Sequence, residues 1–291
     1  MGGPVSADAF LQSSVPAAEV TVACCQVAPV VGELERNRAT ARQAVQDAGR
    51  SGADVVVLPE LMSSGYVFAD FAELQSCAET LDGPTLSEWV ELARDLDLIL
   101  VGGFPEDGRD GHVYNSAALV DPTGVRAVYR KTHLWDTEKN ELFTAGSAGP
   151  PVVDTAVGRI AVMICYDVEF PEWVRGVALR AADLICAPVN WPLFPRPEGE
   201  RPGEIVRVQA GASVNRMAIA CADRVGTERG VEWVGGSVVV DQNGFPASRI
   251  RLGETALITA RVDLRESRVK AISERNDVHL DLRTDLYSQL R

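Results

Sequence analysis

Lysine is almost missing from this chain: only Lys131, Lys139 and Lys270 stand among 28 basic residues. The arginine bias fits genome composition, with a salt-adapted surface as the alternative. There is no run of Lys and Arg, and the net charge is −13. A nucleic-acid or anionic-membrane partner would call for a basic patch, so neither is expected. Histidine is equally sparse, at His112, His133 and His279, with no HExxH pattern, so no metal site is expected. No apolar stretch approaches the roughly 20 residues of a membrane span. The six cysteines form no CxxC pair and no zinc-finger spacing. A chain of 291 residues needs no disulfide staples, and the reading is a reducing, cytoplasmic compartment. Phosphate cradles (GxGxxG, GxxxxGK[ST]) and the GxSxG elbow of serine hydrolases are absent. Residues 1–18 lack a charged start and an apolar core, and read as a flexible lead-in rather than a signal peptide.

What is present is an alternation of short apolar runs and helical stretches. Strands are predicted at Val20–Gln26, Asp54–Leu58, Ile99–Phe104, Asn115–Asp121, Arg126–Arg130, Arg159–Cys165, Asp183–Pro188, Met217–Asp223, Gly236–Asp241 and Ala256–Asp263. Helices are predicted at Glu35–Arg50, Thr85–Leu96 with Thr85 as N-cap, Pro171–Ala182 and Glu200–Asn215. Asp121-Pro122-Thr123-Gly124 and Gln242-Asn243-Gly244 are turn signals. Continuous runs such as VVVL and VMIC suit strands covered on both faces. Helices alternating with strands and hairpins argue for an α/β fold, and two face-to-face mixed sheets fit the strand count. No linker splits the chain, so residues 19–265 read as one domain and 266–291 as a polar tail.

Three segments end buried strands with chemistry-bearing side chains. Cys165 closes the run Ile160–Ile164 just before a charged turn and a helix, where backbone N–H groups can face an oxyanion and favour a thiolate. Cys24, Cys25, Cys186 and Cys221 sit inside apolar runs and read as core. A nucleophilic thiol needs a proton acceptor. No histidine lies in a comparable strand-end setting, and His133, two residues past Lys131, is the only candidate among them. Glu60 follows Val55–Pro59, and Lys131 follows Val128–Arg130, each at a strand end.

The segments LPE at 58–60, YRKTHL at 129–134 and CYDVEFPE at 165–172 resemble the three signature blocks of the nitrilase superfamily, the carbon–nitrogen hydrolases, with spacings of 71 and 34 residues. YNSAALVDPTG at 114–124, PVNWP at 188–192 and GGSVVVDQNG at 235–244 are similar to further family segments, so the resemblance spans about residues 20–265. It implies an αββα sandwich with Cys165 as nucleophile, Glu60 as general base and Lys131 as the cation that stabilises a tetrahedral intermediate. It also implies a second glutamate after the lysine. Glu138 is preferred, and Glu141 remains the alternative. Asp167 and Glu169 read as structural members of the nucleophile turn.

The implied activity is hydrolysis of non-peptide C–N bonds in small carboxamides through a thioester, with release of ammonia and no cofactor. A nitrilase, an N-carbamoyl amidohydrolase and a non-enzymatic scaffold are the alternatives. A thiol redox protein, with Cys186 as resolving partner of Cys165, is a further one. Tyr66, Trp135, Tyr166, Asn190 and Trp191 flank the blocks and are candidates for substrate contact, the Tyr166 N–H as a second oxyanion donor. Arg196 and Arg201 are candidates to hold a substrate carboxylate. The resemblance also implies a homodimer or higher homo-oligomer, with Pro171–Ala182 and the tail as contact surfaces.

Overall fold

The computed structural model describes residues 16–287, so most of the expected lead-in lies outside the described residues. Alternation along the central strands explains the layering. In β1 (Glu19–Gln26), Val20, Val22 and Cys24 point to one core, and Ala23 and Cys25 to another. The same split divides β2 (Val55–Val57), where Val56 opposes its two neighbours. With a side-chain period of two, an unbroken apolar run fills both faces of a sheet.

One face is covered by α1 (Leu34–Arg50) and α3 (Pro84–Leu96); the short α2 (Phe71–Cys77) lies between them in sequence. The first sheet is completed by β3 (Ile99–Asp107), β4 (Val113–Asp121) and β5 (Gly124–Arg130). Its order is β13-β1-β2-β3-β4-β5, with β13 (Ala256–Asp263) antiparallel to β1. The second sheet holds β6 (Val152–Asp154), β7 (Arg159–Val162), β8 (Leu184–Pro188), β9 (Ala218–Ala222) and β12 (Val238–Val240), in the order β12-β9-β8-β7-β6. Its inner face packs on the first sheet. Its outer face is covered by α4 (Pro171–Leu179) and α5 (Gly203–Asn215). A hairpin of β10 (Thr227–Glu228) and β11 (Val231–Glu232) and a terminal turn, α6 (Thr284–Tyr287), complete the chain. The architecture is an αββα sandwich of two mixed sheets. Among the described residues no helix is long and apolar enough to cross a membrane.

Several local expectations are corrected. Thr85 does not cap α3: Gly83 does, with Pro84 in the first turn, and the Thr85 hydroxyl donates to Glu79 instead. β3 runs through Pro105, beyond the predicted Phe104. Its pairing with β2 ends at Val101, so the proline costs no ladder hydrogen bond on that side. The strand predicted to reach Cys165 stops at Val162, and a 3-10 turn occupies Cys165–Glu169. Residues beyond β13 fold back on the same chain: Arg268 pairs with Asp183, Lys270 donates to the carbonyls at the end of α5, and Arg175 donates to the Val278 carbonyl.

Candidate active site

The carboxyl ends of β2, β5, β7 and β8 meet at one edge of the sandwich. Open α/β sheets place ligands in such crevices. Leaving β2, the chain turns sharply at Pro59–Leu61, with Leu61 in the left-handed region at φ +49°. Gly103 holds this turn: its carbonyl accepts from the Met62 N–H at 2.8 Å and its N–H donates to the Pro59 carbonyl. A Cβ on Gly103 would fall 2.5 Å from the Leu61 nitrogen and 2.7 Å from the Glu60 Cα. Only glycine lets the two backbones approach so closely. From the other sheet, Asn190 beyond β8 donates its Nδ2 to the Glu60 carbonyl at 2.9 Å.

Glu60, Lys131 and Glu138 are buried together. Lys131 Nζ donates to Glu60 Oε1 at 2.7 Å and to Glu138 Oε1 at 2.9 Å, and stands 2.8 Å from Glu138 Oε2. Asn115, on β4, joins the carboxylates, donating to Glu60 Oε1 at 2.7 Å and Glu138 Oε1 at 2.9 Å. Glu138 also accepts from the Tyr66 hydroxyl at 3.0 Å and from the Trp135 N–H at 2.6 Å. Both its oxygens are engaged. Glu60 differs, because its Oε2 is buried and has no hydrogen-bond partner among the described residues. Glu141 is exposed.

The charges explain the ionisation. Burial pushes Glu60 up to about 7, against the pull of the Lys131 ammonium. Burial alone would lower Lys131, but Glu138 and Glu60 outweigh it and hold the ammonium well above its ordinary value. Two carboxylates sharing one ammonium leave a surplus negative charge in a dry site. Glu60, the carboxylate with fewer donors, is thereby poised to take up and give back a proton near neutral pH.

Cys165 sits at φ +45°, an uncommon conformation for a side chain other than glycine. The turn is held by Asp167, fully buried. Its carboxylate accepts from the Tyr129 hydroxyl at 2.9 Å, the Ile164 N–H at 3.3 Å and the His133 N–H at 3.1 Å, and meets His133 Nδ1 at 2.7 Å. His133, stacked on Phe170 at 3.8 Å, is thereby engaged by Asp167. Asp167 and His133 tie the thiol's turn to the strand end that carries Lys131. The thiol contacts the Asn190 carbonyl at 3.7 Å, so Asn190 links the Cys165 and Glu60 turns. Burial, then the Glu60 charge, push the Cys165 thiol well up, and Lys131 pulls the other way without prevailing. These influences favour the neutral thiol over a thiolate, against the pull of Lys131. Cys186 lies fully buried in β8, and all six cysteines are free thiols.

Cys165 opens onto a cleft of about 420 Å³, whose walls include Trp135, Tyr166, Asn190, Trp191 and Phe194. Four of the five expected contact residues line it. Tyr66 does not: it stands behind Glu138, its ring edge-on to Trp233. Arg196 and Arg201 are exposed on the rim, donating to the Glu200 carbonyl and Gln209. Two further residues hold the site and went unnoticed in sequence. Asn115, with Ser116 beside it, is a polar residue in a fully buried strand, a readable signal. Asp223 is buried and accepts from the N–H groups of Trp191, Arg224 and Gly236, fixing the cleft wall.

An αββα sandwich with a carboxylate, an ammonium and a thiol at adjoining strand ends defines a hydrolase class. Its family profile, Carbon-nitrogen hydrolase, matches residues 21–270. The chain is 36% identical over 272 residues to a "Nitrilase" of Pyrococcus abyssi, covering 92% of this chain and 99% of that one. It is 34% identical over 246 residues to an "(R)-stereoselective amidase" of a Pseudomonas species, covering 80% and 86%. A solved amidase from Nesterenkonia sp. superposes with a TM-score of 0.77 at 26% identity, covering 97% of this chain and 100% of that one. One mutant of that amidase carries the acetamide moiety of fluoroacetamide covalently on its active site cysteine. The chain belongs to the carbon–nitrogen hydrolase family, the nitrilase superfamily, and is an enzyme of that class.

Proposed function

We propose that the protein is a cysteine-dependent amidase that hydrolyses small carboxamides through a thioester and releases ammonia. The observation that carries this reading is the unequal bonding of the two carboxylates. Glu138 has every oxygen engaged and serves to orient Lys131. Glu60 keeps Oε2 open, with an ionisation near 7 suited to a general base.

In this reading Cys165 Sγ attacks the amide carbon while its proton passes to Glu60 Oε2. Negative charge gathers on the carbonyl oxygen, where the Lys131 ammonium and the Tyr166 N–H receive it. Removing one such preorganised donor typically costs about 3–4 kcal/mol of barrier. Collapse of the tetrahedral intermediate breaks the C–N bond, and Glu60 returns the proton to the departing nitrogen, so ammonia leaves. A water then attacks the thioester, giving a proton to Glu60. Collapse releases the carboxylic acid, and the proton restores the thiol. Because the neutral thiol is favoured, proton transfer accompanies attack.

The name of the Pyrococcus abyssi relative keeps a nitrile substrate as the second reading, served by the same groups. The test is ammonia release from propanamide, butanamide, benzamide and the matching nitriles. Amides are expected to outpace nitriles with the wild type, and Cys165→Ala is expected to release none while keeping its circular dichroism. Release by Cys165→Ala would overturn the reading.

A further inference from the structure

The cleft beyond Cys165 carries charges that the chemistry above does not use. Glu169, at the end of the nucleophile turn, and Glu204, at the start of α5, both line it. They share one cation: Arg207 Nη2 lies 3.1 Å from Glu169 Oε1 and 3.2 Å from Glu204 Oε1. Their side chains are 24% and 12% exposed, against 44% for Arg207. The carboxylates are thus more shielded from water than the guanidinium between them, and one negative charge is left over. Charges held away from water act more strongly than those on the rim. Arg196, Glu200 and Arg201 also line the cleft, but all three are exposed to solvent. Around this carboxylate pair stand Trp135, Tyr166, Trp191 and Phe194. Aromatic faces attract ammonium groups.

Resting on the amidase reading, we infer that the cleft selects carboxamides whose acyl chain carries an ammonium group, with the Glu169–Glu204 pair as its counter-charge. A substrate ammonium would complete the pairing that Arg207 leaves unfinished. A substrate carboxylate seated beside Trp135 and Trp191 would face the surplus negative charge of that pair. The cleft volume of about 420 Å³ suits a short chain.

The test compares kcat/KM for three amides of similar length: 3-aminopropanamide (cationic), butanamide (neutral) and succinamate (anionic). A charge-assisted contact is worth about 1.5–3 kcal/mol, so the cationic amide is expected to exceed its neutral isostere by about tenfold or more, with succinamate last. Glu169→Gln and Glu204→Gln should each lower the ratio of cationic to neutral kcat/KM, chiefly through KM for the cationic amide. A folding defect scales both substrates alike, so an unchanged ratio in both variants overturns the assignment. Preference of the wild type for butanamide or succinamate overturns it too, while leaving the amidase reading intact. Release of ammonia from none of the three removes both.

Discussion

Asn115 offers the sharpest perturbation of the site, because its single amide group serves both carboxylates. Replacing it by leucine keeps much of the shape and removes the donor. The backbone bond from the Lys131 N–H to the Asn115 carbonyl survives. Glu60 would then retain Lys131 alone as partner of Oε1. A hydrogen bond to a charged group is worth about 1.5–3 kcal/mol, or roughly one to two units of ionisation at 1.36 kcal/mol each. Since the same amide also serves Glu138, the lower end applies. Losing a donor to the ionised form raises a carboxylate further, so Glu60 should move from about 7 to about 8. The acid limb of kcat/KM reports the essential base of the free enzyme, so it should shift upward by about one unit in Asn115→Leu. At pH 7 activity should fall about fivefold, and most of it should return by pH 9. Steady-state ammonia release between pH 5 and 9.5 reads this directly. A limb that stays put, moves down, or a profile scaled uniformly would refute the reasoning.

Three further outcomes are expected. Asp167→Ala leaves the N–H groups of His133 and Ile164 without their acceptor and the Tyr129 hydroxyl with Thr132 alone; it should cost about 3–5 kcal/mol in urea unfolding and lower kcat more than it raises KM. Gly103→Ala forces a Cβ against the Glu60 turn; kcat should drop about a hundredfold, as a misplacement near 1 Å can cost, and a retained rate would argue against that close approach. Asp223 is pushed up to about 7 by burial, against three N–H donors. A carboxyl raised on folding keeps its proton longer in the native state, so its contribution is full below the unfolded value near 3.8 and is lost as pH rises to about 7. The stability of the wild type relative to Asp223→Asn should therefore fall between pH 4 and 7, by roughly 4 kcal/mol at most, and a flat difference in denaturant titrations would contradict it.

The sandwich was legible because its strands are buried on both faces. Val55–Val57, Leu184–Pro188 and Ala218–Ala222 are unbroken apolar runs, buried at every residue. α2 (FAELQSC) and β6 (VVD) were not legible, because neither carries the longer apolar run that marked the equally short β2. Arg159–Cys165 was read as strand throughout because its apolar run continues, whereas the strand ends at Val162 and Cys165 turns left-handed. Glu60 and Lys131 were marked by their place after apolar runs. Asn115 escaped because a strand residue's partners come from strands distant in sequence, here Glu60 and Glu138. The state of the thiol escaped for a related reason. Lysine beside cysteine suggests a thiolate, but the balance depends on burial and on a second carboxylate, which only the folded arrangement brings together.

Intact-mass analysis of enzyme quenched in acid during turnover of an amide, followed by peptide mapping, examines the central claim most directly. The account predicts an acyl adduct on the peptide bearing Cys165, present in the wild type and missing from Cys165→Ala. Steady ammonia release with the acyl group on another residue, or with turnover persisting in Cys165→Ala, would contradict it.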